Sequence, residues 1–392
     1  MRNQTLGHAL DRSQFATARC AWSAVCALIL CATLVATLWP FASPKNQVSW
    51  VQNEDTVHFG REGTMFSTGR LTFAMDRPSC SLEIWFERAL IWTRGTLLAF
   101  YDVSNPRSLE LYQIYPDLAL QRGTPTHRNK GNPPQIMVKD LFRKKQSFLT
   151  ITSDGHVTTI YVNGVRLGRD LGFGLSARDI SGQLILANSP KRNNSWQGGL
   201  RGLAIYNRIL SAAEVARHYK DWTQGQRFAG VNAEKPDVLY TFHEPTAKMI
   251  YDEGIAGINL RVPDRFVVVD HLLLESPWSE FYADPFYLKN CLINFAGFVP
   301  LGFSFCAFFR MVWQRRRPVL VAILGGASVS LVIEFIQSYL PTRFSGVTDI
   351  ITNTLGTGLG AALYRYCSLW ISRVTVPTHR MAFPGDNKSE QN

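Results

Sequence analysis

The chain has 392 residues, 46% hydrophobic and 12% aromatic, with seven cysteines and a formal net charge of +11. So many core-forming side chains exclude a disordered chain, and so few cysteines exclude a disulfide-dense mini-scaffold. The charge excludes a basic nucleic-acid-binding face, because residues 44–288 hold 28 basic against 25 acidic side chains and most of the excess sits in short segments beside apolar runs.

Residues 1–20 form a basic arm with Arg2, Arg12 and Arg19. The apolar run Ala21 to Phe41 follows. It is long enough for a membrane helix, which takes roughly 20 residues. It outruns the h-region of a signal peptide and no small-x-small cleavage site follows it, so it reads as an uncleaved anchor.

Residues 48–227 change character. Short alternating runs stand between turn signals: Thr56 to Phe59, Ser81 to Phe86, Thr96 to Tyr101, Leu109 to Ile114, Phe148 to Thr152 and Thr158 to Val162. Ser153-Asp154-Gly155-His156 and Asn163-Gly164 predict hairpins, because Asn-Gly tolerates positive φ at both turn positions. Ser211 to Trp222 predicts the lone helix, with Ser211 and Glu214 as a capping box. Many short strands at this spacing predict an all-β jelly-roll sandwich. The pieces SLEIWF (81–86), GTLLAFY (95–101), FLTITSDGHVTTIYVNGVRL (148–167), LILANS (184–189) and WQGGLRGLAIYNRILSAAEVARHY (196–219) resemble, in order, the laminin-G-like, concanavalin A-type jelly roll. That resemblance implies a carbohydrate- or protein-binding module.

Within this domain Asp154 and Asn163 read as turn residues, and no loop has the carboxylate density that calcium wants. Alternation predicts solvent-facing positions for most of Glu83, Glu87, Glu110 and Asp117, with no carboxylate pair of a glycosidase. Trp92, Trp196 and Trp222 read as core or rim aromatics, with sugar stacking as the alternative. Cys80 is the domain's single cysteine, so no internal disulfide forms. Residues 228–289 connect onward and contain a segment, 238–266, that reads as an edge strand and turn.

Three more spans are predicted in 290–371: about Asn290 to Phe309, Val319 to Tyr339 and Ile350 to Trp370. The tail, 372–392, reads as disordered. Arg310, Arg315, Arg316 and Arg317 crowd the turn after the second span, which predicts that turn to be cytoplasmic. Four crossings then put both termini in the cytoplasm and the sandwich outside, periplasmic or extracellular.

The spans carry polar groups that are costly in hydrocarbon. Asn294, Glu334, Gln337, Asp349 and Asn353, with Arg343 in the short loop, all fall in the outer half of the bilayer under this topology. Glu334 would lie roughly 8 Å deep at 1.5 Å per residue. They are predicted to converge on one pocket, with Arg343 as partner of Glu334 or Asp349. The competing reading is hydrogen-bonding glue between helices, as Gly325-Gly326 and Gly356-x-x-x-Gly360 are. NFAGFVPLGF (294–303), IEFIQSYLPTRFSGVTDIITNTLGTGLG (333–360) and, more weakly, DHLLLESPWSEF (270–281) resemble the VanZ-like membrane family. Pro300 and Gly302 belong to that pattern and, with Gly356 and Gly360, read as helix-packing positions. The resemblance implies an envelope setting and a link to glycopeptide resistance; it names no reaction.

The expectation is therefore an all-β external domain joined to an α-helical membrane bundle of four spans, without cofactor or metal. Its partners are membrane lipids and a glycan or lipid-linked envelope ligand, not nucleic acid. Two alternatives stand beside it: a membrane enzyme using Glu334 or Asp349 as general base, with His271 and Ser345 nearby, and an anchored adhesion or sensor module.

Overall fold

The computed structural model describes residues 2–51, 54–73, 79–105, 109–122, 134–170, 172–191, 193–224, 234–243, 248–271, 273–280, 285–343 and 345–374. The predicted disordered tail lies almost wholly outside them. The main helices are α1 (Arg2–Leu38), α2 (Ala212–Thr223), α3 (Pro285–Met311), α4 (Pro318–Gln337) and α5 (Val347–Val374). Two compact units form. One is helical and comprises Met1–Trp39, Leu274–Gln337 and Ser345–Asn392; the other, built of sheets, comprises Pro40–Leu273 and Ser338–Phe344.

The sheet unit has two eight-stranded antiparallel sheets. One runs Val48–Trp50, Val57–Phe59, Gly198–Tyr206, Cys80–Arg88, Gln146–Ser153, Thr158–Val162, Val165–Asp170, with Val238–Tyr240 also paired to Gly198–Tyr206. The other runs Met249–Ile250, Leu260–Arg261, Met65–Leu71, Gly182–Leu186, Arg94–Tyr101, Leu109–Ile114, Asp117–Arg122, Gln135–Val138. Inward-facing Ile84, Phe86, Leu98, Phe100, Leu111 and Trp196 fill the core between them. Segment 238–266 supplies edge pairing to both sheets.

Local chemistry explains the turns. Asn163 and Gly164 have φ of 53° and 77°. Only residues that tolerate the left-handed region fit there. The Asn163 side-chain oxygen also accepts the Phe148 N–H at 2.9 Å. Asp154 Oδ1 accepts the N–H groups of His156 and Val157, at 2.9 and 2.6 Å, and ties the preceding hairpin. Cys80 is buried and unpaired, and burial, with nearby Asp179, pushes its thiol up to about 12.

One expectation is corrected. Glu83 and Glu87 are buried, and Glu110 is only partly accessible, although alternation turns them away from the core. Glu83 is covered because α2 packs on the outer face of its sheet, where Trp222 meets Phe148 and His218 stacks on Tyr206. A sheet face covered by a helix has no solvent side. Trp196 and Trp222 are buried, in line with the core reading, so the alternative of sugar stacking is closed to them.

In the helical unit, three helices among the described residues are long and apolar enough to cross a membrane: Arg19–Leu38, Tyr287–Met311 and Pro318–Gln337. Four were expected. The fourth, α5, has 28 residues. Its N-terminal half is diluted by Thr348, Asp349, Thr352, Asn353, Thr354 and Thr357, which lowers its hydropathy.

Helix α5 packs against α3 and α4 through glycines. A methyl group on Gly302 would sit 2.0 Å from the Thr357 carbonyl oxygen, and one on Gly360 2.0 Å from that of Val299. One on Gly356 would sit 2.1 Å from the Phe295 carbonyl oxygen, and one on Gly326 2.4 Å from Thr357 Oγ1. Backbones this close admit no Cβ, the small-residue packing typical of membrane helices. Pro300 lies inside α3 and is exposed.

Candidate functional site

The C-terminal ends of α1 and α4 and the N-terminal ends of α3 and α5 meet at one end of the helical unit. The sequence placed its polar residues there. Asn294 hydrogen-bonds the Asp349 carboxylate, joining α3 to α5. Tyr287 donates to Thr348 Oγ1 at 3.3 Å across the same pair. Asn353 Nδ2 donates to Ser330 Oγ at 2.9 Å, joining α5 to α4. Gln337 Nε2 donates to the Thr37 carbonyl at 2.8 Å, joining α4 to α1. One polar layer thus ties all four helices.

Glu334 is the layer's most enclosed acid, with 1% of its surface exposed. Its Oε2 accepts the Gly346 N–H at 2.9 Å, immediately before the first turn of α5. The first N–H groups of a helix lack intrahelical partners, and that end is partially positive, so a carboxylate belongs there. The backbone around it is braced in turn. Glu275 N–H donates to the Ser345 carbonyl at 3.0 Å, and Val347 N–H donates to the Glu275 carbonyl at 3.0 Å.

The layer is not fully matched. Asn353 is 3% exposed, and its Oδ1 meets no hydrogen-bond donor among the described residues. A buried acceptor left alone carries a desolvation penalty of about 1–3 kcal/mol.

Of the residues expected to converge, Asn294, Glu334, Gln337, Asp349 and Asn353 are in this layer. Arg343 lies in the 338–344 segment grouped with the sheets, half-buried, its N–H bonded to the Leu340 carbonyl at 2.9 Å. His271 is exposed in the sheet unit. Ser345 is buried, and its Oγ accepts the Leu274 N–H at 3.3 Å. Ser330 and Thr37 were missed. Ser330 was legible, four residues before Glu334 on the same helix face; the Thr37 carbonyl carries no side-chain signal.

Comparison with known proteins gives two matches. Residues 238–370 match the VanZ/LLP1 family model. Residues 60–216 match that of the concanavalin A-like lectin/glucanases superfamily. The VanZ/LLP1 match begins in the strands that edge the sheets, well before α3. No curated protein matches the chain. Similar solved structures include the binding domain of botulinum neurotoxin DC in complex with rat synaptotagmin II, at 14% identity, 46% of each chain and TM-score 0.34. A structure on ganglioside-dependent cell entry of botulinum neurotoxin type C matches at 13% identity, 46% of each chain and TM-score 0.34. The Ruminococcus gnavus IT-sialidase CBM40 bound to α2,3-sialyllactose matches at 11% identity over 36% of this chain and 83% of its own, TM-score 0.30. This chain spans less than half the length of the neurotoxin chains.

Proposed function

We propose that this chain, a membrane protein with a VanZ/LLP1 helical region and a concanavalin A-like domain, acts in the cell envelope as a receptor for a glycan-bearing amphiphile. The sandwich binds saccharide outside the membrane. The polar layer of the bundle receives the polar head of a lipid-linked compound near the outer surface. The chain crosses four times, α5 included, with both termini in the cytoplasm. A setting in glycopeptide resistance or envelope polysaccharide handling fits the family match.

The observation that carries this reading is the buried Asn353 Oδ1, unmatched among the described residues, in the same polar layer as the enclosed Glu334 carboxylate. Intramembrane carboxylates are costly and mark function by default. An unmatched acceptor of this kind suits a hydroxyl or amide donor of a saccharide head.

The test is native mass spectrometry of the full-length protein purified in mild detergent from cells making envelope lipids. The wild type is expected to retain a lipid-linked saccharide, and Glu334→Gln and Asn353→Leu to lose it while staying folded. The matching cell assay is glycopeptide susceptibility with the same variants. Equal retention in all three proteins, or no retained lipid in the wild type, rejects the reading.

A further inference from the structure

One tip of the sandwich carries aromatic surface held in place by buried chemistry. Trp92 lies in the loop between strands Cys80–Arg88 and Arg94–Tyr101 and is 73% exposed. Tyr115 caps the next hairpin, between Leu109–Ile114 and Asp117–Arg122, and is also exposed. Their ring centroids are 6.3 Å apart, with planes inclined at 49°.

Single exposed aromatics need no explanation. This pair is different because its backbone is fixed from below. Gln113 is fully buried. Its Nε2 faces the carbonyls of Leu90, Ile91 and Tyr115 at 3.0, 3.3 and 3.0 Å. Its Oε1 accepts the indole N–H of Trp196 at 2.7 Å. One buried amide thus pins both the Trp92 loop and the Tyr115 turn to the core. Tyr115 also donates its N–H to the Thr93 carbonyl at 2.8 Å. It adopts a φ of 56° to do so, a conformation a tyrosine rarely takes. The turn geometry and the Gln113 and Thr93 contacts hold the ring in this one orientation.

The third element is a cation. The Arg94 guanidinium lies 4.9 Å from the Tyr115 ring centroid. It is exposed, and among the described residues no carboxylate pairs with it. The nearest acid along its row of strand partners, through Ile114, is Asp117, whose Oδ1 accepts the Asp140 N–H at 2.8 Å.

We infer that Trp92, Tyr115 and Arg94 form a binding site for an acidic saccharide. The apolar C–H face of a sugar ring stacks on the indole, as rings do on pre-ordered aromatics. A ring carboxylate takes the Arg94 guanidinium in a charge-assisted, bidentate pair. The inference rests on the reading that the sandwich binds glycan, and it adds the site and the class of sugar.

The experiment uses the full-length protein in detergent micelles and an array of glucuronate-, galacturonate- and sialate-bearing oligosaccharides, each beside its methyl ester. The wild type is expected to bind at least one acid, with tenfold or greater weakening on esterification. Trp92→Ala and Arg94→Gln are each expected to weaken binding at least tenfold with an unchanged melting temperature; Met137→Ala, exposed on the same sheet, is the neutral control. Acid binding that Trp92→Ala leaves intact overturns the site and spares the glycan reading. Binding that esterification leaves unchanged overturns the acidic class. A wild type that binds no oligosaccharide overturns both. If that wild type instead partitions into anionic lipid vesicles in a Trp92-dependent way, both readings fall and the tip is a membrane contact.

Discussion

Glu83 Oε2 lies 2.9 Å from His218 Nδ1, and both side chains are fully buried. The pair joins the strand Cys80–Arg88 to α2 on the outer face of its sheet. Tyr206 donates to the same Glu83 oxygen at 3.3 Å, and Thr150 to the other at 3.4 Å. On the far side, His218 Nε2 lies 3.0 Å from Glu234 Oε2, a carboxylate that also takes Arg208 and Arg217. The helix is therefore held by a buried polar chain as well as by the Trp222 contact.

Breaking such a pair from one side strands the other partner. Glu83→Ala and His218→Ala are each expected to destabilise the sandwich by about 3–5 kcal/mol. The double variant should lose less than the sum. Denaturant unfolding of the full chain, followed by tryptophan fluorescence, measures this. Additive losses, or a stable Glu83→Ala, would show that the pair contributes little.

The start of α2 gives a pH prediction. Partial burial pushes the Glu214 carboxyl up. Its hydrogen bonds with Ser211 and the Arg208 guanidinium outweigh that and bring it from 4.5 to about 2. A group depressed on folding stabilises the fold above its unfolded value, and that contribution is lost as pH falls toward the folded value. Ser211→Ala should cost about 1 kcal/mol near neutrality. Its deficit relative to wild type should shrink as pH drops from 4.5 to about 2, the window set by Glu214. Melting temperatures of both proteins across that window decide it; a constant gap contradicts the assignment.

Close backbone approach in the bundle predicts a sharp contrast between two glycines of α3. A methyl at Gly302 meets the Thr357 carbonyl at 2.0 Å, whereas one at Gly297 meets nothing within 4 Å. Gly302→Ala should lower the yield of monodisperse protein in detergent and its melting temperature. Gly297→Ala should leave both unchanged or better, since alanine favours helix by up to about 1 kcal/mol. Equal behaviour of the two would remove close packing as the basis of the bundle.

Membrane orientation is tested with single cysteines in a cysteine-free background. In intact cells an impermeant maleimide should label Arg166→Cys, which replaces an exposed sandwich residue. It should spare Arg316→Cys and Lys388→Cys until the cells are opened. External labelling at 316 would invert the topology; labelling at 388 alone would remove the fourth crossing.

Local chemistry was legible in the amino-acid order. The Asn163-Gly164 turn, the Ser211–Glu214 capping box and the Leu109–Ile114 and Thr158–Val162 strands each depend on residues within a few positions of one another. The apolar runs marked three helices long and apolar enough to cross a membrane for the same reason, since length and hydropathy are properties of a continuous segment. What covers a face is not. Glu83 alternates as an exposed residue and is buried because α2, more than a hundred positions later, lies over it. Trp92, Trp196 and Trp222 are equivalent letters, yet only Trp92 reaches solvent. In the bundle, the sequence determined which polar groups fall at one end. The tertiary structure decided that Glu334 meets the Gly346 N–H and that Asn353 keeps an oxygen unmatched among the described residues, because pairing between helices is set by their crossing and rotation, which no single segment encodes.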